Sequence, residues 1–175
     1  MYKVTNPLIW LCRIRHRCGY GVHSPFAFKF ITEVLYMRLP YYAYKELDKE
    51  LPAKDIFRVR KILHMLLRVS NWRQPEVIFC RSAQPNVQHY LQAGCKKAKI
   101  IDNIPEKAVD LCWLDEPEEE ILTHLNEQSV LILDHLNKHQ EWFMNLPSVV
   151  SFDLHEIGIA FFNTKYNKQH YIVNF

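Results

Sequence analysis

Glycine is scarce in this chain. There are four among 175 residues, where an ordinary share of about 7% would give roughly twelve. That scarcity excludes a glycine-rich phosphate cradle, because GxGxxG and GxxxxGK both need glycines that are missing. Long apolar runs are missing as well. The longest near the start, residues 7–12, has six residues, far short of the roughly 18 of a membrane span. No membrane span is therefore expected. Nor is a secretory signal legible, since Arg13, Arg15 and Arg17 follow that run and no small-residue cleavage site appears. A cytoplasmic location is the resulting expectation. CxxC pairs are absent too. Cys12, Cys18, Cys80, Cys95 and Cys112 form an odd set that reads as reduced, mostly buried thiols. Cys12, His16, Cys18 and His23 are zinc-ligand types, but their spacing matches no C-x2–4-C with H-x3–5-H arrangement.

What is present is globular in kind. Apolar residues make up 49% and charged residues 23%, at a length that suits one domain and can bury a sizeable core. The net charge of +3 is unevenly spread. Residues 1–73 hold 14 Lys/Arg against 5 Asp/Glu, and residues 74–175 hold 8 against 14. A basic front can meet phosphates, an anionic membrane or an acidic partner, and the chain's own acidic half is the preferred partner. Nucleic acid is disfavoured, because no helix-turn-helix or aromatic RNA-binding signature accompanies the basic residues.

The pattern changes near residue 73, which divides an N-terminal helical region, 1–72, from an α/β region, 73–175, within one compact unit. His23-Ser24-Pro25 predicts a helix start, with Ser24 as cap and Pro25 in the first turn. Phe26, Phe30, Val34 and Met37 continue at helical spacing until Pro40. A second amphipathic helix is predicted over residues 55–71, with Ile56, Val59, Leu63, Leu66 and Leu67 on its apolar face and Arg58, Lys61, His64 and Arg68 elsewhere. A shorter one is predicted over 8–15. Beyond residue 73, nearly continuous apolar runs at 76–80, 99–101, 109–114 and 129–133 predict strands buried on both faces, as in a parallel sheet covered by helices. Segments 86–93 (stopped by Gly94), 117–125 and 138–146 predict the intervening helices. Runs at 149–154, 157–163 and 170–173 predict a closing antiparallel section.

Ligands of open α/β sheets bind outside the carboxyl ends of the strands. Three predicted strands end in aspartate: Asp102, Asp115 and Asp134. Convergent carboxylates there can bind a divalent cation or hold ribose hydroxyls; equally, each can cap the turn that follows, a reading that suits Asp115 before Pro117. The first strand ends differently, in Cys80-Arg81-Ser82. Arg81 can bind an anion, yet its side chain fills the space that a close phosphate or sulfonium approach needs. Only six residues separate Asp102 from Val109, too few for a crossover with its helix, which takes about ten to twelve. A helix is missing here, and faces at 99–101 and 109–114 are expected to lie uncovered. Two covers are possible, the chain's own N-terminal helices with Trp10, Phe30 and Leu66 or a second copy, and a homodimer sealing them is the expectation.

Gly19-Tyr20-Gly21-Val22-His23-Ser24-Pro25-Phe26, followed by Tyr41-Tyr42-Ala43-Tyr44, resembles the helical front of a bacterial group of class I S-adenosylmethionine-dependent methyltransferases. Val109-Asp110-Leu111-Cys112-Trp113-Leu114-Asp115, Ser129-Val130-Leu131-Ile132-Leu133-Asp134 and Leu154-His155-Glu156-Ile157-Gly158-Ile159-Ala160-Phe161-Phe162 look like its strands four, five and the closing hairpin. The resemblance implies a Rossmann-like, mostly parallel sheet with an antiparallel C-terminal hairpin, lacking one helix-strand unit after Asp102. It also implies a cofactor loop E-x-G-x-x-x-G after the first strand, where this chain has Phe79, Arg81 and Pro85. Cofactor contacts would fall on Asp102 (ribose), Arg81 and Ser82. In the catechol-type relatives, the positions matching Asp115, Asp134 and His135 hold Mg²⁺.

Three functions are compatible with these features. The first is a methyltransferase-like protein with a degenerate cofactor loop that is non-catalytic, acts by binding or assembly, and for which no cofactor is expected. The second is a divergent active O-methyltransferase using S-adenosylmethionine and Mg²⁺, the metal orienting and polarising a hydroxyl acceptor. The third is an anion-binding or nucleic-acid-associated module built on Arg13, Arg15, Arg17 and Arg81.

Overall fold

The computed structural model describes residues 11–51, 56–104 and 106–175. The chain divides into two compact units. One comprises the chain up to Gln74 together with Gln84–Lys96 and Asn174; the other comprises Pro75–Ala83, Lys97–Val173 and Phe175.

The first unit is helical. Ser24 caps helix α1 (Pro25–Phe30), its hydroxyl accepting from the Ala27 amide at 3.3 Å. The sequence predicts one helix through to Pro40. Instead, α1 passes into a π-helical turn over Ile31–Leu35 that closes on Tyr36 N–H to Ile31 O. Ala27, Phe30, Ile31, Val34 and Leu35 are all buried, and Phe30 meets Trp72 edge-on at 5.3 Å between ring centres. A short α2 (Tyr44–Leu47) leads towards the long α3 (Ile56–Arg73). Residues 8–10 of the predicted 8–15 helix lie outside the described residues; Leu11 and Cys12 are helical, and Ile14–His16 form a 3-10 turn.

Helix α4 (Pro85–Gly94) belongs to this unit and packs on α3. Ser70 of α3 donates its hydroxyl to Leu91 O at 2.7 Å. Gly94 reads in the sequence as a helix stop, but its larger role is close approach. A Cβ there would stand 2.4 Å from Leu67 O and 2.7 Å from the Ser70 Cβ, a contact that no side chain can enter.

The second unit is a seven-stranded, mostly parallel sheet with helices. Its strands are β1 (Val77–Arg81), β2 (Lys99–Ile101), β3 (Val109–Leu114), β4 (Leu125–Leu133), β5 (Val150–Asp153), β6 (Gly158–Phe161) and β7 (Gln169–Ile172). Their order is β2-β1-β3-β4-β6-β5-β7, with β6 antiparallel to both neighbours and every other pair parallel. The near-continuous apolar runs do form the buried central strands, as burial on both faces demands. The register slips between Val109 and Leu111, where Ser129 donates its hydroxyl to Val109 O at 2.5 Å. Val109 belongs to the same core cluster as Cys112 and Leu114. Those residues share a core with Phe79, Leu131 and Ala160, closed by Ile121, Leu136, Phe143 and Leu146. Phe143 and its neighbours form α5 (Gln140–Asn145).

Three further expectations are corrected. The run at 170–173 does not extend the antiparallel section, because β7 pairs with β5 in parallel. The predicted helix over 117–125 is only a 3-10 turn at Glu120–His124, because β4 begins at Leu125 and leaves no room for more. The face of 109–114 expected to lie uncovered is not: Val109, Leu111, Cys112, Trp113 and Leu114 are buried within the single chain. Among the described residues, no helix is long and apolar enough to cross a membrane.

Candidate functional site

Strands β1 to β4 run parallel, and their register sets Arg81 beside Leu114 and Leu114 beside Leu133. The residues that follow these strands therefore gather at one edge. This brings Arg81, Ser82, Asp102, Asp115 and Asp134 to the carboxyl end of the sheet, where a ligand site is expected. A cavity of about 560 Å³ lies there, lined by Arg81, Ser82, Asp115, Glu116, Pro117 and Glu118 among others.

Arg81 crosses this edge. Its Nε and Nη2 donate to Asp102 O at 3.3 and 3.1 Å, and Nη1 pairs with the Glu118 carboxylate. The Phe79 ring lies 5.2 Å beneath its guanidinium carbon. The fork thus joins the ends of β1 and β2 to the loop after β3. Its side chain is 51% exposed, so the pair is screened and contributes little to stability; its consequence is occupancy of space. Sequence reading did not single out Glu118. Its signal was the acidic run Glu118-Glu119-Glu120 directly after a strand end, read there only as helix-forming. Two other acids of this loop are also engaged, Glu116 with His139 Nε2 at 2.6 Å and Glu119 with Trp142 Nε1 at 2.5 Å.

Asp115 is committed to structure on both oxygens. Oδ1 accepts from Trp113 Nε1 at 2.7 Å; Oδ2 accepts from the Ala83 amide at 2.8 Å and from Ser82 Oγ at 3.2 Å. It therefore caps the loop after β1 from the neighbouring strand. Ser82 acts in the same contact. The carboxylate of Asp102 is exposed at the edge and accepts from the Asn103 side-chain Nδ2 at 3.0 Å. Its backbone oxygen, not its side chain, meets Arg81.

Asp134 is buried at 1% exposure. Its amide donates to Leu114 O at 2.8 Å, which holds it beside the end of β3, and its Oδ1 accepts from the His135 amide at 2.7 Å. That amide belongs to a residue with φ +51°, a conformation the carboxylate helps to hold. His135 Nδ1 stands 3.6 Å from Asp134 Oδ2. Asp115, Asp134 and His135 are thus neighbours at the strand ends, but among the described residues no group of three or more His, Cys, Asp or Glu side chains is arranged to hold a metal. Beneath the edge, burial and then the charge of Asp115 push the Cys80 thiol up to about 12. That thiol is no nucleophile at neutral pH. Phe79, at the position where the resemblance implies the cofactor loop's acid, is fully buried in the core. No protein-family model matches this chain, and no curated protein matches it.

Proposed function

We propose that this chain is a class I methyltransferase-like protein with a degenerate cofactor loop, acting by binding or assembly rather than by methyl transfer. The observation that carries this reading is the Arg81 guanidinium, anchored on Asp102 O and Glu118 across the end of β1. A cofactor lying against that loop would need both space and backbone access, and an arginine fills the one while no glycine provides the other. Two further features support the resemblance. Among the described residues of the link from β2 to β3, which flank β1, there is no helix. The reversed β6 beside β5 forms the closing hairpin that the resemblance implies. Assembly with a second copy would use the β2 side, where Ile100, Ile101 and Ile104 remain partly exposed along a groove of about 580 Å³; β3, being buried, offers no such surface. Light scattering at micromolar concentration tests that arm.

A divergent active O-methyltransferase is the competing reading, and the cavity beside Asp115 is what favours it. One titration separates the two. Calorimetry with S-adenosylmethionine and with its demethylated product is expected to give no binding tighter than about 100 μM, or about −5.5 kcal/mol. Tighter binding of either compound would overturn the non-catalytic reading.

A further inference from the structure

We infer that the helical unit carries a second site, distinct from the sheet edge, that takes the phosphate or diphosphate group of a small molecule. Lys61, His64 and Arg68 recur along α3 at spacings of three and four and so share a face. With Arg17, Tyr36 and Arg38 they line a concavity of about 260 Å³. Among the described residues that line it there is no carboxylate.

Arg68 gives the site its floor. It is 7% exposed, although its place in the helical pattern suggests a solvent-facing residue. Its donors go to neutral oxygens: Nε to Val34 O at 2.6 Å, Nη2 to Leu35 O at 3.0 Å and Nη1 to Tyr44 Oη at 3.4 Å. A buried guanidinium held by carbonyls is well hydrogen-bonded but keeps its charge. The acid bonded to His64, Asp48, has other partners as well. It receives Tyr90 Oη at 2.6 Å and pairs with His64 Nε2 at 2.8 Å and Arg60 Nε at 3.1 Å. Lys61 is exposed overall, yet its ammonium is held below the usual lysine range, first by partial burial and then by the charges of Arg68, Arg17 and Arg58. That repulsion marks a region of positive potential, which a multivalent anion would relieve. Guanidinium forks match phosphoryl oxygens in geometry as well as charge. The volume decides the size of the guest. Pockets for drug-sized ligands begin at about 300 Å³, so this one suits a terminal phosphate or diphosphate rather than a polymer.

The test uses the full chain at low chloride, titrated with inorganic pyrophosphate and separately with inorganic phosphate, read by calorimetry and by thermal shift. Pyrophosphate is expected to bind with a dissociation constant below about 1 mM and to raise the melting temperature. Lys61→Glu and Arg38→Glu alter exposed residues, and each is expected to weaken that binding by about tenfold or more. Circular dichroism checks that both variants fold, and Arg38→Ser replaces either one that does not. No wild-type binding, or affinity unchanged in the folded variants, would overturn the inference. A single-stranded oligonucleotide lacking a terminal phosphate that binds more tightly than pyrophosphate would overturn it in favour of nucleic acid.

Discussion

Trp113 and Asp115 are bonded to each other across the end of one strand: the indole Nε1 donates to the carboxylate Oδ1 at 2.7 Å, while the other oxygen holds the Ala83 amide and the Ser82 hydroxyl of the neighbouring strand's loop. This aspartate is thus the clasp between β1 and β3. Asp115→Ala would strand three donors at a partly buried position. It is expected to lower the unfolding free energy by about 2–4 kcal/mol, with Asp115→Asn costing less because one acceptor oxygen remains. Urea titration checks this. An unmoved midpoint would mean that the carboxylate is dispensable to the fold and free for a ligand.

The contact between Gly94 and Leu67 predicts a second stability effect. The Cβ added by Gly94→Ala would meet the Leu67 carbonyl oxygen at 2.4 Å, and backbone in a packed helix pair cannot step aside cheaply. Overpacking of this kind costs about 1–3 kcal/mol, which for a chain of this size lowers the melting temperature by several degrees, at about 2–4 °C per kcal/mol. Thermal denaturation of the variant that matches wild type would show that α3 and α4 are less tightly apposed.

Thiol chemistry offers a probe of the sheet. Cys12 and Cys18 are exposed, whereas Cys80, Cys95 and Cys112 are buried. Burial raises the pKa of Cys112 as it does that of Cys80, which reaches about 12, so the reactive thiolate is not populated at either under mild conditions. Iodoacetamide at neutral pH is expected to label Cys12 and Cys18 in the folded protein and all five cysteines after denaturation. Mass spectrometry counts the adducts. Rapid native labelling of Cys80 would mean that the strand ends open in solution.

His64 gives a pH dependence with a defined sign. Burial holds its pKa below the ordinary value of 6.5, despite the opposing pull of Asp48. The unfolded chain therefore takes up a proton first on acidification. The stability contributed by neutral His64 is full above 6.5 and is lost as pH falls below 6.5 through the folded value. Wild type is expected to lose more stability than His64→Gln over that interval, measured by denaturant titration at each pH. Parallel curves for the two proteins would contradict the assignment.

The sequence by itself determined which segments form the sheet and where one helix begins. Val109–Leu114 and the second half of β4 are almost wholly apolar, and only a strand buried on both faces tolerates such a run. Ser24 before Pro25 leaves the chain little choice but to start a helix, since the hydroxyl satisfies an amide and the ring presets the backbone. The gathering of Arg81, Asp102, Asp115 and Asp134 at one edge was legible for the same reason, because each directly follows or ends a parallel strand.

Tertiary structure alone decided what those residues do there. Asp115 looks the same in sequence whether it caps a loop or holds a metal; the choice depends on Trp113, Ser82 and Ala83 arriving together from two strands. Glu118 is one acid among several until the fold sets it against Arg81. Arg68 sits where helical periodicity puts a solvated cation, and is buried because carbonyls from Val34 and Leu35, more than thirty residues earlier, meet its guanidinium. Periodicity records which side of an element faces apolar surroundings. It does not record which polar groups from distant segments converge on a given side chain, and hydrogen bonds, being short and directional, depend on that convergence.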